Sequence, residues 1–173
     1  MLRKKTAGEA GNVLIKDDFF DSAAKRASQE TGVSIQYESS FVYRKGLQAG
    51  RFLLENGLTI IFMPDQRAPL FAYQTWFKVG SRDESPERTG LAHLFEHLMF
   101  KGTEQHPTGE LDRVMESLGS QTNAATWVDW TFYMETLANR PGNLETVIEF
   151  EADRMQNLIL DEETFRSELE VVK

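Results

Sequence analysis

Two histidines and a glutamate fall within five residues, His93-Leu94-Phe95-Glu96-His97. On a helix each residue turns by about 100°, so His93, Glu96 and His97 share one face. Histidines four apart sit on neighbouring turns and can reach one metal ion. The order His-x-x-Glu-His is one of the two common zinc-peptidase spacings, the inverted one. The division of labour is physical. Zinc takes neutral imidazoles plus one further protein ligand and leaves a fourth position for water. It brings the pKa of that water to about 7, and a carboxylate one helical step from a ligand can take the proton and pass it to a leaving amine. His93 and His97 are therefore candidate Zn2+ ligands and Glu96 a candidate general base. The competing plain reading is a pair of surface or core histidines on an amphipathic helix. Two of the chain's three histidines lie in the motif, which weighs against it. The third, His106, precedes Pro107 and reads as a loop residue.

The motif needs a helix whose other side packs. Leu91, Leu94, Phe95, Leu98 and Met99 fall roughly opposite the polar face, which predicts a helix over about 90–100 with Gly102 capping its end. The polar stretch 80–89 reads as a loop whose charges are solvated. Upstream, Phe52 to Met63 reads as a hairpin about Glu55-Asn56-Gly57. Its second half, Leu58 to Met63, is nearly continuous and β-branched, as in a buried strand. Leu70 to Val79 is an aromatic strand whose Phe71, Tyr73, Trp76 and Phe77 are expected in the core. Downstream, Thr108 reads as an N-cap for a helix that Gly119 stops. Residues 121–126 and 131–137 read as antiparallel strands with a turn near Asp129. A helix over 141–158 should bury Leu144, Val147, Ile148, Ala152, Met155 and Leu158. A last helix from Asp161 should turn Phe165, Leu169 and Val172 inward. The fold class is α+β, a mostly antiparallel sheet with helices packed on one side.

The remaining 1–45 has weak periodicity. Only Asp17 to Gln29, stopped by Gly32, suggests a helix, and the segment is read as a tail, linker or packing arm before a domain over 46–173. The 173 residues are 40% hydrophobic and 27% charged, which describes a globular chain with enough length for a core. A net charge of −8 disfavours a nucleic-acid or anionic-membrane surface. There are no cysteines, which removes disulfides and thiolate metal sites. No apolar run approaches the roughly 18–20 residues of a membrane span. Arg3, Lys4 and Lys5 are followed by no apolar stretch, so no secretory signal is expected and they read as a solvated terminus. Cytoplasm is the default compartment, with the periplasm left open.

Beyond the motif, several separated blocks agree in order. Val79-Gly80-Ser81-Arg82-Asp83-Glu84, then Gly90 to Thr103, then Gly119 with Asn123, Ala124, Thr126, Asp129, Thr131 and Tyr133, then Glu168 to Lys173, together resemble the family of insulin-degrading enzyme, pitrilysin and mitochondrial processing peptidase. The resemblance runs from about Phe52 to the end and is strongest to the bacterial and processing-peptidase branch.

This resemblance implies a zinc endopeptidase acting on peptides or unfolded polypeptides. It implies that Asn123 to Thr126 form a sheet edge that holds substrate as an added strand, with Asn123 and Ala124 in contact with it. A turn role for Asn123 stays equally open. It also implies two glutamates seven apart on the last helix. Val171-Val172 fixes the alignment, so that Glu168 supports the site and the third zinc ligand is expected two positions past Lys173. The domain is thus expected to be incomplete at its C-terminus and inactive alone. The family pairs this domain with a homologous second half or partner subunit. The alternative reading is a non-catalytic peptide-binding partner subunit, against which the complete His-x-x-Glu-His stands.

Overall fold

The computed structural model describes residues 15–44 and 46–172. The basic start at Arg3, Lys4 and Lys5, and Lys173, lie outside the described residues. The chain divides into two compact units between Ala68 and Pro69. The physical reason is strand pairing. Residues Ile35–Arg44 form β1, which pairs antiparallel with β2, Leu47–Leu54. The pairing shifts register between Tyr37 and Ser39 and again between Val42 and Arg44. Each shift breaks the period-2 alternation that would have marked the strand.

In the first unit, β3 (Thr59–Phe62) follows β2 in the order β1-β2-β3. Helix α1, Asp17–Thr31, has Asp17 and Asp18 at its positive N-terminal end and Gly32 at φ 73° closing it. Phe20 and Ala24 of α1 pack with Phe52, joined by Ile35 and Tyr37. Gly50 makes this possible, because a Cβ there would stand 2.5 Å from the Phe20 ring. This core draws its strand residues from β1 and β2 alone. The outer strand β3 is therefore exposed along its length, contrary to the buried strand expected of Leu58 to Met63.

The second unit is α+β, with the sheet order β4-β6-β5. Strand β4, Leu70–Phe77, and strand β5, Gln121–Thr126, both run antiparallel to β6, Thr131–Ala138. Four helices accompany it: α2 (Leu91–Leu98), α3 (Glu110–Ser117), α4 (Asn143–Asn157) and α5 (Glu162–Val172). One sheet face packs Leu137 against Leu111 and Met115 of α3 and Val147 and Phe150 of α4, with Phe71 and Tyr73 alongside. On the other face Trp76 stacks on Phe132 at 4.8 Å and stays 54% exposed. Of the expected aromatic core residues, Trp76 thus lies outside it, since period 2 sends it to the face opposite Phe71 and Tyr73. Among the described residues no helix is long and apolar enough to cross a membrane.

Several local expectations are corrected. Helix α2 ends at Leu98 with Met99 as its cap, and Gly102 lies beyond it at φ 108°, where a Cβ would meet the His106 carbonyl oxygen at 2.6 Å. Gly109, not Thr108, caps α3; the Thr108 hydroxyl instead donates to the Lys101 carbonyl. Phe95 and Phe165 are exposed. On α4 the buried face carries Val147, Phe150, Glu151, Asp153 and Arg154, while Leu144, Ile148 and Met155 are exposed. The apolar stripe misleads there because charged side chains fill the interior side. Phe150→Ala is accordingly expected to cost about 3–5 kcal/mol, and Ile148→Ala about 0.5 kcal/mol or less. Denaturant unfolding of the two variants checks this, and a larger loss at Ile148 would reverse the assigned face.

Candidate functional site

Helix α2 has only eight residues, too few to be stable alone in water, where roughly 12–15 are needed. Its apolar side is anchored by Leu94 and Leu98, each 1% exposed, and burial of that kind contributes about 1.5–3 kcal/mol per side chain. Its N-terminus begins at Gly90 with no side-chain cap of its own. Glu84 takes that role from the preceding loop, accepting from the amides of Gly90 and Ala92 at 2.8 Å each. A carboxylate on free amides at the positive helix end is a favourable pairing. The expectation that all charges of 80–89 are merely solvated is thus corrected at Glu84. The loop is itself held to the strand turn, since Ser81 and Arg82 donate their amides to the carbonyls of Trp127 and Val128 at 3.0 and 2.9 Å. A side chain at Gly80 would collide with those carbonyls.

Within this frame the three motif residues come together as the helical period predicts. The His93 and His97 rings lie 4.8 Å apart between centroids, edge to face. Glu96 is 9% exposed and receives a hydrogen bond from the Thr126 hydroxyl of β5. Thr131 donates onward to Thr126 at 3.3 Å or to the Val79 carbonyl at 3.0 Å. His93 and Glu96 open onto a cleft of about 510 Å³, with Ala124, Thr126, Ser81 and Trp127 also lining it.

His97, beside His93, turns toward α5. Its Nδ1 lies 3.2 Å from Oε2 of Glu168 on α5. The other oxygen, Oε1, pairs with Lys101 Nζ at 2.6 Å. The ammonium holds the Glu168 carboxyl below its usual range, and the contact with His97 adds to this against the opposing effect of burial. Glu168 is therefore a carboxylate, and His97 Nδ1–H donates to it, which leaves Nε2 as the ring nitrogen available to a metal.

The other marked residues distribute as follows. Strand β5 is the outer strand of its sheet. Ala124 lies on the face toward α2, and Asn123 on the opposite one. The Asn123 side chain accepts from the Ala124 amide at 3.0 Å. His106 stays apart from the pair on α2, with its ring 4.0 Å from that of Phe150. Among the described residues no three His, Asp or Glu side chains converge as a metal-binding group. The donor set present is two adjacent imidazoles, one with its second nitrogen fixed by a carboxylate, and that chemistry fits zinc.

Behind α2 lies a charged core that sequence reasoning missed. Arg154 of α4 pairs with Glu151 and, at 3.6 Å, with Glu135 of β6. Thr75 donates to Glu151 at 3.0 Å. The guanidinium stands 4.5 Å from the centre of the Tyr133 ring and 5.4 Å from that of Phe100, just past α2. Glu135, at 0% exposure, points inward because it lies on the same strand face as Tyr133 and Leu137. The missed signal was a glutamate on the apolar phase of a strand.

Burial, reinforced by Glu151, pushes the Glu135 carboxyl from its ordinary 4.5 up to about 8. The folded state thus holds this proton more tightly than the unfolded chain, so the associated stability is full below about 4.5 and is lost as pH rises through about 8. Wild-type protein is expected to lose stability relative to Glu135→Gln between about pH 5 and about pH 9. Urea midpoints across that range check it, and parallel pH curves for the two proteins would contradict it.

The chain is similar to several known proteins. The profile of the Insulinase family (Peptidase family M16) matches residues 61–173. The zinc protease PqqE of Helicobacter pylori is 35% identical over 120 residues, which is 69% of this chain and 27% of that protein. The mitochondrial-processing peptidase subunit beta of Neurospora crassa is 31% identical over 127 residues, 73% of this chain and 26% of that protein. The crystal structure of a protease from Helicobacter pylori superposes with a TM-score of 0.67 at 33% identity, covering 71% of this chain and 29% of that one. The chain spans about a quarter of the length of the curated relatives it matches. From its profile match over residues 61–173 and its antiparallel α+β architecture, the chain belongs to the insulinase family of peptidases, M16.

Proposed function

We propose that this chain forms the zinc-binding part of a metalloendopeptidase that hydrolyses peptides or unfolded polypeptides. The observation that carries the proposal is the pair of adjacent imidazoles beside Glu96, with His93 and Glu96 both lining the cleft and Thr126 on the Glu96 carboxylate. His93 and His97 would hold Zn2+ through ring nitrogens, and Glu168 would orient His97 through Nδ1. A third protein ligand would be a carboxylate, as the resemblance implies. When bound, zinc supplies a Lewis acid that polarises the scissile carbonyl and acidifies water.

The chain's own residues do the rest. Glu96 takes the proton of the attacking water and returns it to the leaving amine. The Thr126 hydroxyl fixes one Glu96 oxygen, which leaves the other free for the proton. Substrate would lie along the outer edge of β5, where its carbonyl takes the Ala124 amide now held by Asn123 Oδ1. Trp127 and Val128 add apolar surface to the lining of the cleft. The name of the Neurospora crassa relative makes it one subunit of a processing peptidase. On that basis a homologous second half or partner subunit is the proposed companion here.

Glu96→Gln in the full gene product is expected to keep its zinc and to lose about 10²–10⁴-fold in peptidase rate, the usual contribution of a positioned proton carrier. Metal analysis and cleavage of an unstructured peptide test this together. Full activity in the variant would remove Glu96 from the mechanism, and failure of the wild type to bind zinc would remove the metal.

A further inference from the structure

Outside the three motif residues, one polar side chain is tied to a candidate metal ligand through a single intermediate. Lys101 stands one helical turn beyond His97. Past α2 the backbone tightens, and the amides of Phe100 and Lys101 donate to the carbonyls of His97 and Leu98 at 3.1 and 3.0 Å. The Lys101 carbonyl in turn receives the Thr108 hydroxyl. Lys101 is thus fixed through both its amide and its carbonyl, and its side chain runs back toward α5.

There Nζ meets Glu168 Oε1 at 2.6 Å, while Glu168 Oε2 faces His97 Nδ1 at 3.2 Å. The two carboxylate oxygens therefore have different partners. The Glu168 side chain is 10% exposed and that of Lys101 27%, so the pair is shielded from water more than a surface ion pair is. A buried carboxylate without its counter-charge would turn toward water or another donor. With Oε1 held, Oε2 keeps one direction, and that direction is the one that fixes the His97 ring.

We propose that Lys101 is a positioning residue for the metal ligand His97, acting through Glu168. Lys101 touches neither substrate nor metal. It sets the orientation of the carboxylate, and the carboxylate sets the orientation and tautomer of the imidazole. This inference rests on the reading of His97 as a zinc ligand given above.

The test is a double-mutant cycle on zinc affinity in the full gene product, read by competition with a chromogenic chelator. Lys101→Met keeps the aliphatic stem and removes the charge. It is expected to weaken zinc about 10-fold, the lower end for loss of a group that orients a metal ligand. On a Glu168→Gln background the same change should weaken zinc by less than about twofold, because the intermediate is already gone. Lys101→Arg should restore affinity to within about threefold of wild type, since it reaches the same carboxylate. If Lys101→Met does not fold, as judged by circular dichroism without metal, Lys101→Gln takes its place in the cycle. Unchanged zinc affinity in Lys101→Met, or an equal loss on both backgrounds, would overturn the inference while leaving the zinc site standing. A wild-type protein that binds no zinc would overturn the site itself, and the role of Lys101 with it.

Discussion

An eight-residue helix cannot hold two imidazoles and a carboxylate in place by itself. The candidate site depends on how the rest of the second unit compensates for that shortness. The N-terminus of α2 is closed by Glu84, six residues before Gly90 in sequence. One side is sealed by Leu94 and Leu98. The far end reaches Glu168 on α5 through both His97 and Lys101. Each restraint comes from a different element. Loss of any one would leave the motif intact as sequence and displaced as geometry.

The sheet beneath contributes in two ways. Strand β5 supplies Thr126 to Glu96 and an open edge beside the cleft. Strand β6 supplies Tyr133 and Glu135 to the charged interior around Arg154. A guanidinium against two carboxyl groups and two aromatic rings is a costly interior for a domain of this size, because one unpaired partner can cost about 3–5 kcal/mol. Its position behind Phe100 ties the exit of α2 to α4 and β6. Rigidity at that exit is what Lys101 and Glu168 need in order to keep their directions.

Much of this was legible in the sequence, and the gaps have physical causes. The helix of His93, Glu96 and His97 was readable because the 3.6 period places chemistry on one face and leucines on the other. The hairpin from Gln121 to Ala138 was readable from its turn, and the helix stops from Gly32 and Gly119. Strand β1 was hidden because two register shifts break its alternation. The buried face of α4 was hidden because it is charged, and periodicity analysis counts only apolar residues. Glu84 was read as solvated because a cap supplied from a loop has no fixed offset from the helix it closes. Lys101 stood at helical spacing from His97, but its partner lies 67 residues later on α5, and only the fold brings them together.

The most direct test of the account is zinc K-edge X-ray absorption on the full gene product loaded with one equivalent of zinc. The account predicts a first shell of nitrogen and oxygen with two imidazole ligands at about 2.0–2.1 Å and the multiple-scattering pattern of histidine. A spectrum with fewer than two imidazoles, or a protein that retains no zinc, would contradict it.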